Sequence, residues 1–161
     1  MKNKLSAILI CCLVIVLLLG SIPCSAESTV NDTVVEAQGF LDGILTYQGA
    51  TDVQGWIDGY LTQNAGTGSE WYIIGLAQHE EYDFSSYETA LLGYLESNTV
   101  GSASSRLKYA LCLAAIGSTD EYICKTVNDS IGEQGLMSWV FGLHLMNNGY
   151  VSERYSATDI T

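Results

Sequence analysis

Trp71-Tyr72-Ile73-Ile74-Gly75-Leu76-Ala77 is apolar on every face of the helix it would form. A helix that is apolar all round is buried all round or sits in a bilayer. This run is far too short to span a bilayer, so it predicts an interior helix. Two further runs share its character. Leu107 to Ile116 is broken only by Lys108, and Leu136 to Met146 by Ser138 and His144. One-sided helices lie between them. Tyr87, Ala90, Leu91, Tyr94 and Leu95 form one stripe, with Glu88, Thr89 and Glu96 opposite. Ile123, Val127 and Ile131 form a narrower one. The order is buried, one-sided, buried, one-sided, buried, which predicts inner helices walled by outer ones.

Local signals agree with an all-α chain. There are no long alternating runs and no Asn-Gly hairpin turn. Thr67-x-x-Glu70, Ser85-x-x-Glu88 and Ser118-x-x-Glu121 fit the capping box, in which a hydroxyl takes the N3 amide and the acid reaches back. Gly49, Gly66, Gly101, Gly117 and Gly149 stand where helices should stop. Together these predict helices near 33–48, 53–64, 69–79, 85–97, 104–116, 120–130 and 135–148.

The chain has 161 residues with 18 acidic and 6 basic side chains, a formal charge of −12. Residues 1–26 read as a secretory signal peptide: Lys2 and Lys4, then an apolar stretch, then Pro23 and small residues through Ala26. The stretch is short for a spanning anchor, and Ile22-Pro23 before Cys24 is wrong for a lipobox. The expected mature chain, 27–161, is secreted or held at the cell surface and does not span the membrane. It keeps four basic side chains against all 18 acids, a formal charge of −14. Such a surface repels nucleic acid and anionic lipid. Cys112 and Cys124 remain, and an oxidising compartment permits a disulfide between them. Two small buried apolar residues is the other reading.

Gln38-Gly39-Phe40-Leu41-Asp42-Gly43 recurs as Gln54-Gly55-Trp56-Ile57-Asp58-Gly59. The glycine pairs at i, i+4 are expected to let helices approach closely. A ligand motif on Asp42 and Asp58 is the alternative. The three greasy runs recur at offsets of one helix pair, as in a periodic architecture.

The segments Gly68–Ala77, Arg106–Leu111 and Gly132–Met137 resemble the α/α-toroid superfamily, and most closely the cyclase-like secreted surface proteins of Gram-positive bacteria. The superfamily includes squalene and hopene cyclases, prenyltransferase β subunits, thioester domains and cobalamin carriers. The resemblance covers about half of the mature chain. It implies antiparallel helix pairs in two layers, here a partial toroid of roughly three and a half pairs with an incomplete C-terminal end. An apolar face left open would favour self-association or a partner protein. The family's chemistry is not carried over. No DxDD acid motif and no Gln-Gly-Trp turn occur. No recognisable zinc ligand set links Cys112, Cys124 and His144. Ser130-Ile131-Gly132-Glu133-Gln134 puts Ile131 where a thioester needs cysteine.

Candidate ligand contacts are Glu70 with Trp71, and Gln134 with Trp139, near the first turns of greasy helices. In a two-layer ring those ends would meet at a cavity mouth, and tryptophans there would serve glycans, corrinoids or isoprenoids. His144 reads as a buried, hydrogen-bonded histidine or as a ligand in that cavity. His79 beside Glu80, Glu81 and Asp83 reads as a solvated loop or as a metal or acid–base cluster. No catalytic residue, metal site or cofactor is expected. The sequence thus predicts a non-catalytic binding module. A terpenoid cyclase- or prenyltransferase-like enzyme is the first alternative, and an inactive fragment of a longer surface protein the second.

Overall fold

Helices form where the apolar spacing and the glycine stops put them. The structure, a computed structural model, describes residues 26–78 and 82–160. The leader through Ser25 and the His79-Glu80-Glu81 cluster lie outside the described residues. Helix α1 covers Ala26–Gln48, α2 Val53–Trp56, α3 Glu70–Leu76, α4 Ser85–Ser97, α5 Ala103–Ala115, α6 Glu121–Ser130, α7 Gly135–Asn147 and α8 Ala157–Ile160. The chain is all-α, with no strand among the described residues. None of the described helices is long and apolar enough to cross a membrane.

The chain divides into two units, one running to Gly43 and the other starting at Ile44. The described part of the first is most of α1, on which Val35 and Phe40 stand exposed. The second unit carries the core.

Helix α2 runs directly into a π-helical turn, Ile57–Leu61. The Thr62 hydroxyl donates to the carbonyl of Ile57 at 2.7 Å and so satisfies the widened turn. Trp56, Ile57 and Leu61 are all buried there. The second copy of the repeated motif sits on this segment. Its glycines do not mediate helix contact, contrary to expectation: a Cβ at Gly59, or at Gly39 or Gly43 in the first copy, would meet nothing within 4 Å. Its polar residues do the joining. The Gln54 amide bonds both the N–H and the carbonyl of Asp83, at 3.0 and 2.8 Å. Asp58 accepts from the Ser86 hydroxyl at 2.6 Å. Together they tie this helix to the start of α4.

The helix starts differ from the predicted capping boxes. The N-caps are Ser69, Phe84 and Asp120 rather than Thr67, Ser85 and Ser118. Asp120 accepts from the Tyr122 amide at 2.8 Å, and Ser118 accepts from Asp120 one step earlier. The helix therefore begins two residues later than the Ser118 box predicts, with a charged acceptor at its cap. Four of the five glycine stops hold, with positive φ at Gly49, Gly66, Gly117 and Gly149. Gly101 does not serve; α4 ends at Ser97 in an extended Asn98.

Helix α5 is the centre of the unit. Leu107, Ala110, Cys112 and Leu113 are buried, and it packs against α3, α6 and α7. The stripes expected of the one-sided helices face inward: Tyr87 and Leu91 on α4, Ile123 and Val127 on α6, followed by Ile131. The other two greasy helices are not buried all round. On α3, Trp71 is 54% and Tyr72 48% exposed; on α7, Leu136 is 74% exposed. Both pack against α5 and keep part of their apolar surface exposed.

Gly66 lies against Tyr94 of α4, and its carbonyl accepts from the Tyr109 hydroxyl of α5. Its φ is +82°, and a Cβ there would lie 2.2 Å from the Tyr94 ring. Gly117 has a similar φ, +77°, and open space around it. Gly66→Ala is therefore expected to lower stability by about 2–4 kcal/mol, against about 1 kcal/mol for Gly117→Ala. Urea unfolding of the two variants measures the difference.

Candidate functional site

The open faces of the three greasy helices meet around one pocket of about 450 Å³. Helix α3 contributes Trp71 and Ile74, with Gln78 just past its end. Helix α5 contributes Leu111, Ala114 and Ala115. Helix α7 contributes Phe141, His144 and Leu145, followed by Asn148 and Tyr150. The i, i+3, i+4 spacing within each helix puts these side chains on a single face. The Trp71 and Phe141 rings lie 5.7 Å apart at 57° and bridge α3 to α7. Gly149, at φ +93°, reverses the chain after α7, and the Tyr150 amide bonds back to the Leu145 carbonyl at 3.2 Å. That turn returns Tyr150 to the pocket wall.

The pocket lies at the C-terminal ends of α5 and α7, not the N-terminal ends where a cavity mouth was expected, while on α3 it runs from Trp71 in the first turn to Gln78 past the end. Ala114 and Ala115 are the last two residues of α5, and His144 is in the last turn of α7. Its polar rim is built from amides. Gln78 Nε2 donates to the Ile74 carbonyl at 3.0 Å, and Asn148 Nδ2 to the His144 carbonyl at 2.8 Å. Each side chain places one N–H on its own helix and keeps a second N–H and its carbonyl oxygen.

Of the expected ligand contacts, the structure brings together Trp71 and His144. His144 is exposed on the pocket wall rather than buried in a core. The other three do not line the pocket. The Gln134 side-chain oxygen accepts from the Ala103 amide at 3.1 Å and so caps α5. Trp139 packs edge-on against Tyr155 at 4.9 Å and closes over Gly132. Glu70 points into the core. Sequence reasoning missed Phe141, Gln78, Asn148 and Tyr150. The signal was present: each greasy helix is apolar on more faces than its packing partners cover.

Glu70 is fully buried and pairs with Lys108 Nζ at 2.7 Å. Its second oxygen, Oε1, has no partner among the described residues. Around it, Tyr87 and Ser69 share a hydrogen bond of 3.0 Å, and the Tyr109 hydroxyl donates to the Gly66 carbonyl at 2.7 Å. The Cys112 thiol donates to the Glu70 carbonyl at 3.8 Å. Burial first, then the Glu70 charge, pushes that thiol up to about 12. Burial likewise pushes the Tyr87 hydroxyl well above the usual phenol range. This cluster joins α3, α4 and α5; its groups are enclosed, which fits a structural role.

Cys112 and Cys124 are both free thiols. Cys112 faces α3, whereas Cys124 is exposed on α6. No group of three or more His, Cys, Asp or Glu residues able to hold a metal ion occurs among the described residues. Comparison of the chain with family models, with curated proteins and with solved structures returned no match.

Two outcomes follow from the buried pair and the thiols. Lys108→Met strands a buried carboxylate and should cost about 3–5 kcal/mol, whereas the double variant Glu70→Leu with Lys108→Met should recover most of that loss. Chemical denaturation of the single and double variants gives both numbers. A thiol reagent at mildly alkaline pH should modify Cys124 within minutes and leave Cys112 untouched until the protein unfolds. Mass spectrometry of the two cysteine-containing peptides reads this out.

Proposed function

We propose that the mature chain is a secreted or surface-held module that binds an apolar small molecule without transforming it. The observation that carries this reading is the pocket, where three apolar helix faces and the Trp71 and Phe141 rings surround one volume. At about 450 Å³ it lies in the lower half of the range for small-molecule sites. That size and its apolar walls favour an isoprenoid-sized body over a corrinoid or a glycan. None of the described lining residues is a carboxylate or a cysteine, which favours binding over the cyclase or prenyltransferase alternatives.

The same reading makes the second unit an arc of an α/α toroid. Its support is the packing order. Helix α5 packs against both α3 and α7, so successive greasy helices touch; the π-helical turn packs against α4 and α6 against α5, as outer helices would. Leu136 and Met137, exposed at the start of α7, favour a protein partner or a second copy as the other occupant of the open face.

A thermal-shift screen over isoprenoids, glycans and corrinoids tests the proposal. An isoprenoid is expected to raise the melting temperature saturably, by the equivalent of about 2–3 kcal/mol at a hundredfold excess over Kd. Ala114→Trp, which fills the pocket, should abolish the response. No response from any class, or an equal response in the filled variant, overturns it.

A further inference from the structure

Asn148-Gly149 follows α7 directly and turns the chain back toward the pocket wall, rather than joining two strands. We infer that Asn148 is a site of self-modification: its side-chain amide is displaced by the backbone nitrogen of Gly149, and the residue becomes an aspartyl or isoaspartyl link at the pocket rim. Nothing that the pocket binds enters this reaction.

The chemistry needs only these two residues and water. The Gly149 nitrogen gives up its proton and bonds to Asn148 Cγ, and the Cγ–Nδ2 bond breaks. Nδ2 leaves as ammonia, and a cyclic imide remains. Water opens the imide at one carbonyl or the other. One opening leaves an aspartyl residue; the other routes the backbone through the side chain. Overall an amide and a water become an acid and ammonia, with nothing oxidised or reduced.

Three observations single out this asparagine. First, glycine follows it. Asn31 is followed by Asp32, Asn64 by Ala65, Asn98 by Thr99, Asn128 by Asp129 and Asn147 by Asn148. A Cβ on the following residue crowds the ring that must close, and glycine has none. Second, the position is open to water. Asn147, Asn148 and Gly149 are all exposed, and a Cβ at Gly149 would meet nothing within 4 Å. Third, the turn sits where opening is easiest. The ψ of Asn148 is 16°, which keeps the Gly149 nitrogen away from the side chain, so the ring closes only from the opened turn. The Gly149 N–H is held by the Met146 carbonyl at 3.1 Å, and Asn148 Nδ2 by the His144 carbonyl at 2.8 Å. Both bonds lie at a helix terminus, and termini open at the least cost.

The product changes the rim. Asn148 lines the pocket, so a carboxylate appears there as the protein ages. It stands at the C-terminal end of α7, where the macrodipole disfavours negative charge. It also lacks the N–H that bonds the His144 carbonyl.

Timed incubation of the full mature chain in warm, mildly alkaline buffer tests this, with peptide mapping by mass spectrometry at each time. Asn148 should be converted at least about tenfold faster than any other asparagine, the ratio that about 1.4 kcal/mol less barrier gives. Fragmentation should place the change on Asn148 rather than Asn147, with aspartyl and isoaspartyl forms both present. In urea, where the turn is gone, the rate should rise several-fold. Gly149→Ala compared in urea, where strain in the folded turn plays no part, should lower that rate about tenfold.

Conversion in urea with none in the folded chain means that the turn stays shut, and overturns the inference. Faster conversion at another asparagine overturns it too, as does an equal rate in Gly149→Ala. An aspartyl product with no isoaspartyl form means that water attacked the side chain directly, and removes the role of Gly149.

Discussion

Helix α5 constrains everything around it. Leu107, Ala110 and Leu113 are fully buried, and a helix this apolar cannot be left against water on most of its surface. Helices α3, α6 and α7 pack against it. The one polar interruption in its apolar run is Lys108. Its charge is taken to Glu70 on α3, and that pair sets how α3 lies on α5. The loop before α5 is fastened by Arg106, which bonds the carbonyls of Val100 and Gly101 as well as the Ser130 hydroxyl. The first turn of α5 is finished by Gln134 from the start of α7. Three polar contacts thus orient an otherwise greasy rod.

The pocket is a consequence of the same constraint. Helices α3 and α7 lie against α5 and turn their remaining apolar sides toward one another across its last turn. They stay open because nothing among the described residues of the second unit covers them. Trp71 and Phe141 meet there, and the two amides at the rim cap their own helices before anything else. The pocket arises from helix ends that had to be capped and helix faces that had to be somewhere.

Much of this was legible in the chain. The limits of α4, α5, α6 and α7 fall within one or two residues of those predicted by apolar spacing and glycine stops. The inward stripes of α4 and α6 are those read from period alone. The misses have a common cause. Thr67, Ser85 and Ser118 satisfied a capping pattern, yet neighbouring Asp120 and the loop around Asp83 offered better partners in space. The repeated Gln-Gly-aromatic motif suggested glycine-mediated packing, and its glutamine and aspartate do the joining instead. Glu70 looked like a residue at a mouth because it precedes Trp71; consecutive helical residues point about 100° apart, so one faces the core and the other the pocket.

By itself the sequence determined the class of fold, the limits of α4 to α7, the acidic charge and the three greasy rods, because each follows from residues within a turn or two of one another. Only the tertiary structure decided which face of each rod is covered. That choice depends on which neighbours arrive and from which side, and it placed the pocket at the C-terminal ends of α5 and α7, turned Glu70 inward to Lys108, and left Trp71 and His144 facing the same space.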